Sequence, residues 1–220
     1  LGGVFVLGAV LYFSGLALAW AVRTGSEVSR VARSNAGFLA FLSDGVEVLK
    51  TNRVVAGVLA ITVIYNVWGF PFVSMIPVIG KNVLGLGPLP VGLLVSAEGA
   101  GTLIGALLVL VARTGNHYRR MYTFGLALCL IMALAYSQVG STVPSRVFLA
   151  LEGIGAGFFA AMQAALILLN TPPLLRSRVM GLLSVCVGLC TVGFLHIGLL
   201  ADWVGAQNAV AITAGEGLLM

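Results

Sequence analysis

The sequence predicts an all-α integral membrane protein, and three observations carry that prediction. Hydrophobic residues fill 60% of the 220 positions and charged residues only 9%. Mean hydropathy is +1.08, and the apolar residues gather into long uninterrupted runs rather than short alternating ones. A soluble domain carries about 45–50% apolar and 25% charged residues. A cytosolic enzyme, a disordered chain and a nucleic-acid-binding module are excluded on those grounds, although the net charge is +5. Placement of that charge matters more than its sum, because eight of the nineteen ionisable side chains crowd between Arg23 and Arg53.

Taken in order, the runs are 1–22, 54–80, 88–112, 121–143, 147–175, 179–201 and 203–220. About 20 apolar residues in a helix cross a hydrocarbon layer of roughly 30 Å. Within lipid each backbone amide must be satisfied inside its own segment, which leaves helices as the open solution. Seven transmembrane helices are therefore expected. Leu1 already lies inside an apolar run with no basic stretch before it, so the start reads as a cut in a longer polytopic protein and not as a signal peptide.

Connections between the runs sort by charge. The first, third and fifth carry Arg23, Arg30, Arg33, Lys50 and Arg53, then Arg113, Arg119 and Arg120, then Arg176 and Arg178. The alternate connections carry Lys81 and Arg146. Ten basic residues against two place the first set on the cytoplasmic side of a plasma (inner) membrane. Within the long connection 23–53, Phe38, Phe41, Leu42 and Leu49 share one helical face, and Asp44, Glu47 and Lys50 take the other. An amphipathic helix lying on the cytoplasmic surface is expected there.

Glycine pairs at four-residue spacing, Gly101/Gly105 and Gly153/Gly157, predict close backbone packing between helices. Pro71 and Pro77 predict a bend in the second span, beside the polar and aromatic group Tyr65, Asn66 and Trp68. Cys129, Cys186 and Cys190 fall inside spans and read as packing residues. Glu98 and Glu152 stand about 9–12 Å inside the outer end of their runs, where a carboxylate costs roughly 2.5–3.5 kcal/mol on insertion scales. Each must face protein or water, and each is a candidate proton carrier. A structural ion pair, for example with Arg146, is the plainer alternative, and snorkelling to the outer surface is another. Glu216, His196, Gln163 and Asn170 are further polar residues within spans.

The stretch NVWGFPFVSMIPVIGKNVLGLGPLPVGLLVSAEGAGTLIG, from Asn66 to Gly105, resembles the seventh and eighth helices of the major facilitator superfamily. It is closest to the enterobactin-exporter-like efflux branch. Thr171 to Gly181, TPPLLRSRVMG, resembles that branch's cytoplasmic turn, with Ser177 in place of its glycine. Gly198 to Gly205, GLLADWVG, is similar to the end of the eleventh helix. In the loop holding Arg113 and Gly115 the chain departs from the family, since Ala112 stands where an acid is usual.

The resemblance implies helices six to twelve of a twelve-helix transporter. Residues 1–22 are then the last helix of the first bundle, 23–53 the linker, and 54–220 the second six-helix bundle, built of inverted repeats 54–143 and 147–220. It implies a substrate cavity faced by Tyr65, Asn66, Trp68, Glu152 and Gln163, and proton coupling through Glu98 and Glu152. The cytoplasmic gating loops would hold Arg113, Gly115, Arg119, Arg120, Arg176 and Arg178. The implied partners are the lipid bilayer, protons, a small-molecule substrate and the N-terminal bundle of the same protein.

The expected function is secondary active transport, with proton-coupled efflux of a small amphipathic molecule such as a drug or siderophore. A solute importer of the same fold is the near alternative. A seven-helix sensor or partner subunit is the distant one, although Lys50 and Lys81 both lie in connections and leave no intramembrane lysine for a retinal Schiff base. No cofactor, metal centre or set of enzymatic groups is expected.

Overall fold

The structure, a computed structural model, describes residues 2–21, 49–50, 52–111 and 117–220. The chain falls into two units, Leu1–Gly37 and Phe38–Met220. In the first, helix α1 spans Gly2–Ala21. In the second, helices α2 (Arg53–Asn82), α3 (Pro88–Val111), α4 (Tyr118–Ser137), α5 (Thr142–Asn170) and α6 (Pro173–Val204) are each long and apolar enough to cross a membrane. Helix α7 follows at Ala206–Leu219. Each of the seven apolar runs is thus helical over most of its described residues, and the described residues form no strand.

Some boundaries differ from the sequence expectation. Helix α5 begins at Thr142, five residues before the apolar run, because Ser141 in extended backbone starts a helix that carries Arg146 in its second turn. Trp203 and Val204 end α6 rather than opening α7, since Gly205 at φ 85° stops the helix and a residue with a Cβ rarely adopts that angle. Of the expected surface helix, Leu49 and Lys50 are helical and the rest lies outside the described residues.

Helix α5 forms the spine of the second unit and packs along both α3 and α4. The expected glycines make these contacts. A Cβ at Gly101 or Gly105 would collide with the carbonyls of Ala150 and Ile154, and one at Gly153 or Gly157 would collide with those of Glu98 and Thr102. On the other side Gly155 and Gly125 meet, with an ideal Cβ on Gly155 only 2.7 Å from the Gly125 oxygen. In lipid the hydrophobic effect does little to hold helices together, so close backbone approach supplies dispersion contacts and weak Cα–H···O bonds instead.

The ends of the helices sort as alternating spans demand. Asn52 caps α2 by accepting from the Val54 and Val55 amides at 3.0 and 3.2 Å. Its Nδ2 donates to the Asn170 carbonyl at 2.7 Å, tying the start of α2 to the end of α5. The start of α4 adjoins the start of α2, so Arg53, Arg119, Arg120, Arg176 and Arg178 gather at one end. At the other end Gln207 donates to the Val139 carbonyl at 3.4 Å, joining the α6–α7 turn to the α4–α5 turn.

Two apolar clusters fill the unit, one toward each end. Val55, Val58, Tyr122, Phe159, Leu166 and Val179 centre the cluster at the arginine-rich end. Phe72, Ile76, Tyr136, Leu149, Ile197 and Val210 centre the opposite one. The layer between them holds the polar residues. Overpacking predicts that Gly153→Val destabilises the protein by about 1–3 kcal/mol or more. Gly99→Ala, whose new Cβ meets nothing within 4 Å, should leave stability unchanged. Thermal unfolding of the two variants in detergent checks this.

Candidate functional site

The middle layer is built on a break in α2. The α-helix ends at Ile64, and the next turn, Tyr65–Gly69, is a wide π-turn in which the Phe70 amide donates to the Tyr65 carbonyl five residues back. Pro71 follows with no amide to donate, and a tight 3₁₀ segment, Phe70–Ser74, leads into the α-helical Met75–Asn82. The expected bend is present, and its form is a widened turn of the kind that often marks functional sites. Gly193 of α6 lies against the opened backbone. A Cβ there would stand 2.5 Å from the Val67 carbonyl and 2.5 Å from the Pro71 ring.

Tyr65, Asn66 and Trp68 all sit in this π-turn, and each is engaged. The Tyr65 ring stacks on Phe159 at 4.0 Å between centroids, and Phe159 stacks in turn on Tyr122 at 4.8 Å. Asn66 Nδ2 donates to the Thr62 carbonyl at 2.9 Å. Gln163 Nε2 donates to Thr62 Oγ1 at 3.1 Å. The Thr62 and Tyr122 hydroxyls are 2.8 Å apart, and both reach the Val58 carbonyl, at 2.8 and 3.2 Å. Two hydroxyl protons serve that arrangement in either order, with one hydroxyl donating to the other and the second to the carbonyl. This buried network joins α2, α4 and α5. It includes Thr62 and Tyr122, which nothing in the sequence marked out.

Trp68 Nε1 donates to Glu216 Oε2 on α7 at 3.0 Å, and the same oxygen lies 3.6 Å from His196 Nε2 on α6. Three helices therefore converge on one carboxylate. The sequence offered no motif for it, and the available signal was the presence of two isolated ionisable residues in adjacent spans.

Glu152 is the most enclosed acid among the described residues, with 2% of its surface exposed. It stands ten residues into α5, about 15 Å along the axis. This is deeper than the apolar run implied, because the helix starts earlier. Its Oε2 is buried and has no hydrogen-bond partner. Arg146 does not neutralise it, since six residues on one helix put the two side chains on different faces, and Arg146 Nε is itself buried without a partner. Glu98, half-buried on α3, stands across the glycine contact, within electrostatic range of Glu152. Its Oε1 accepts from Thr102 Oγ1 at 3.1 Å. The Cys129 thiol of α4 donates to the Glu152 carbonyl at 3.5 Å. The three cysteines are free thiols, and the described residues contain no cluster of side chains suited to a metal.

The structure thus brings Glu98 next to Glu152, and Tyr65, Asn66 and Gln163 around the network beside them. Trp68 joins the separate Glu216 cluster. Among the gating candidates, Arg176 Nε donates to the Thr171 carbonyl at 3.2 Å. Arg119, Arg120 and Arg178 lie at the same end, and Arg113 and Gly115 fall outside the described residues.

Residues 2–194 match the Major Facilitator Superfamily. Over 209 residues the chain is 24% identical to Macrolide efflux protein A of Streptococcus pyogenes, and to the same degree to Macrolide efflux protein A of a serotype M6 strain. These alignments cover 92% of this chain and 50% of each relative, so the chain spans about half the length of the curated relatives it matches. No solved structure matches it. With a family match over most of its length and an all-helical, membrane-spanning fold, the chain belongs to the major facilitator superfamily.

Proposed function

We propose that this chain is the second half of a secondary active transporter that exports a small amphipathic molecule in exchange for protons. One observation carries the coupling, the buried and unpartnered carboxyl oxygen of Glu152 with Glu98 beside it. A carboxylate at mid-membrane that no cation neutralises is costly when charged. It becomes tolerable when it takes up a proton or gains a partner, so its charge state favours one arrangement of the helices around it. The relatives named for macrolide efflux favour export over import. They support an efflux branch, and the enterobactin-exporter-like assignment rests on the motifs from Asn66 to Gly105.

In this reading residues 1–22 belong to the first bundle, 23–53 link the bundles, and 54–220 form the second. Helices α2–α4 and α5–α7 are its inverted repeats. The π-turn of α2 and the facing part of α5 contribute half of a substrate cavity, through Tyr65, Asn66, Trp68, Glu152 and Gln163. The missing bundle supplies the other half. Rocking of the two bundles alternates access, and the arginine-rich end faces the cytoplasm of a plasma membrane.

The test uses the full-length protein in proteoliposomes, with a fluorescent macrolide as probe. Efflux should follow an imposed pH gradient. Glu152→Gln should lower gradient-driven efflux at least tenfold while sparing substrate exchange without a gradient, and Glu98→Gln should have the smaller effect. Gradient-driven efflux that survives in Glu152→Gln removes this residue from coupling. A wild type that moves no probe in either direction favours the sensor or partner-subunit alternative.

Orientation is tested separately, in a background with the three native cysteines replaced. A cysteine at Asn208→Cys should react with an impermeant maleimide on intact cells. One at Leu174→Cys should react only after permeabilisation.

A further inference from the structure

At the arginine-rich end of the second unit, a hollow of about 180 Å³ opens between α2, α4 and the end of α5. Arg53 and Arg119 stand at its rim. Its walls are Val54, Val58, Ile61 and Leu166, and Gly57 leaves one side bare. A second, shallower hollow runs along the outer face of α4 over Thr123, Phe124 and Ala127, with Arg119 and Arg120 at its head. The two hollows share Arg119 and Thr123.

Among the described residues, neither hollow is lined by an acid. The described carboxylates are Glu98, Glu152, Asp202 and Glu216, placed in the middle layer or at the opposite end. Arg53, Arg119 and Arg120 make no ion pair among the described residues. The site therefore offers guanidinium groups, apolar walls and a position at the membrane boundary. Two grooves diverge from one arginine. That combination fits an anion carrying two hydrocarbon chains.

We infer that this paired groove binds an acidic phospholipid. Arg53 and Arg119 hold the headgroup phosphate, one acyl chain enters the hollow beside Gly57, and the other lies along α4 over Phe124. Guanidinium suits phosphate through its paired donors, and basic pockets between transmembrane helices favour anionic headgroups. A zwitterionic choline headgroup has the same phosphate but brings a cation toward two arginines, and selectivity arises from that repulsion. The inference rests on the geometry of this end and not on transport.

The test is native mass spectrometry of the full-length protein released from detergent, with phosphatidylglycerol or phosphatidylcholine added at equal concentration. Phosphatidylglycerol should be retained about tenfold or more over phosphatidylcholine. Arg53→Gln and Arg119→Gln should each reduce its retention about fivefold, equivalent to about 1 kcal/mol per arginine. Arg53→Lys and Arg119→Lys should restore part of it, since lysine keeps the charge and loses the paired donors. Gly57→Leu should reduce retention of both lipids, since its side chain enters open space and fills the chain groove without disturbing the helices. Lys81→Gln, at the other end of α2, should change nothing. Equal retention of the two lipids, or arginine variants that bind like the wild type, overturns the inference. Release of the bound lipid by millimolar inorganic phosphate also overturns it, and marks the site as one for a soluble anion.

Discussion

Backbone-to-backbone contact along α5 is the interaction on which the rest of the second unit depends. Gly153 and Gly157 meet α3, whose Gly101 and Gly105 return the contact, and Gly155 meets Gly125 of α4. In hydrocarbon these contacts replace the hydrophobic driving force that would hold a soluble bundle together. They also decide the surroundings of Glu152. A residue beside glycines that touch helices on two sides has little freedom to swing, and about 15 Å of helix separates it from the nearer end. Snorkelling to water is closed to it. The packing that stabilises the bundle is the same packing that isolates the acid.

Helix α2 answers a different constraint. Every amide in lipid needs a partner, and Pro71 removes one donor from the middle of a 30-residue span. The helix responds by widening before the proline and tightening after it, and α6 covers the opened backbone with Gly193. Tyr65, Asn66 and Trp68 lie where the ladder is irregular, while Thr62, Tyr122, Glu152 and Gln163 reach the same layer from regular helix. Apolar clusters above and below seal this layer from both ends.

The sequence disclosed the helical segments, the sorting of arginines to one end and the reciprocal glycine pairs, since each follows from a short-range pattern. Boundaries were less legible where hydrophobicity and capping disagree. The early start of α5, with Arg146 in its second turn, is the case in point. The form of the α2 break was not readable, because proline announces a bend but not the turn that will absorb it. Thr62 and Tyr122 carry no signal in the sequence, because a threonine and a tyrosine in a span are ordinary until the fold sets their hydroxyls 2.8 Å apart. Glu216 and His196 were visible as isolated polar residues. Their convergence with Trp68 depends on three helices distant in sequence, and no spacing rule reports it.

The turn at Gly205 bears on how the protein enters the bilayer. With a single residue between α6 and α7, no stretch of connecting chain is long enough for one helix to be inserted and released before the other is presented. The pair is presented as one helical hairpin, with Asp202, Gln207 and Asn208 close to its tip. This end of the molecule then forms as a two-helix unit, and a bulky residue at Gly205 would strain it while it forms, ahead of its packing against the other helices.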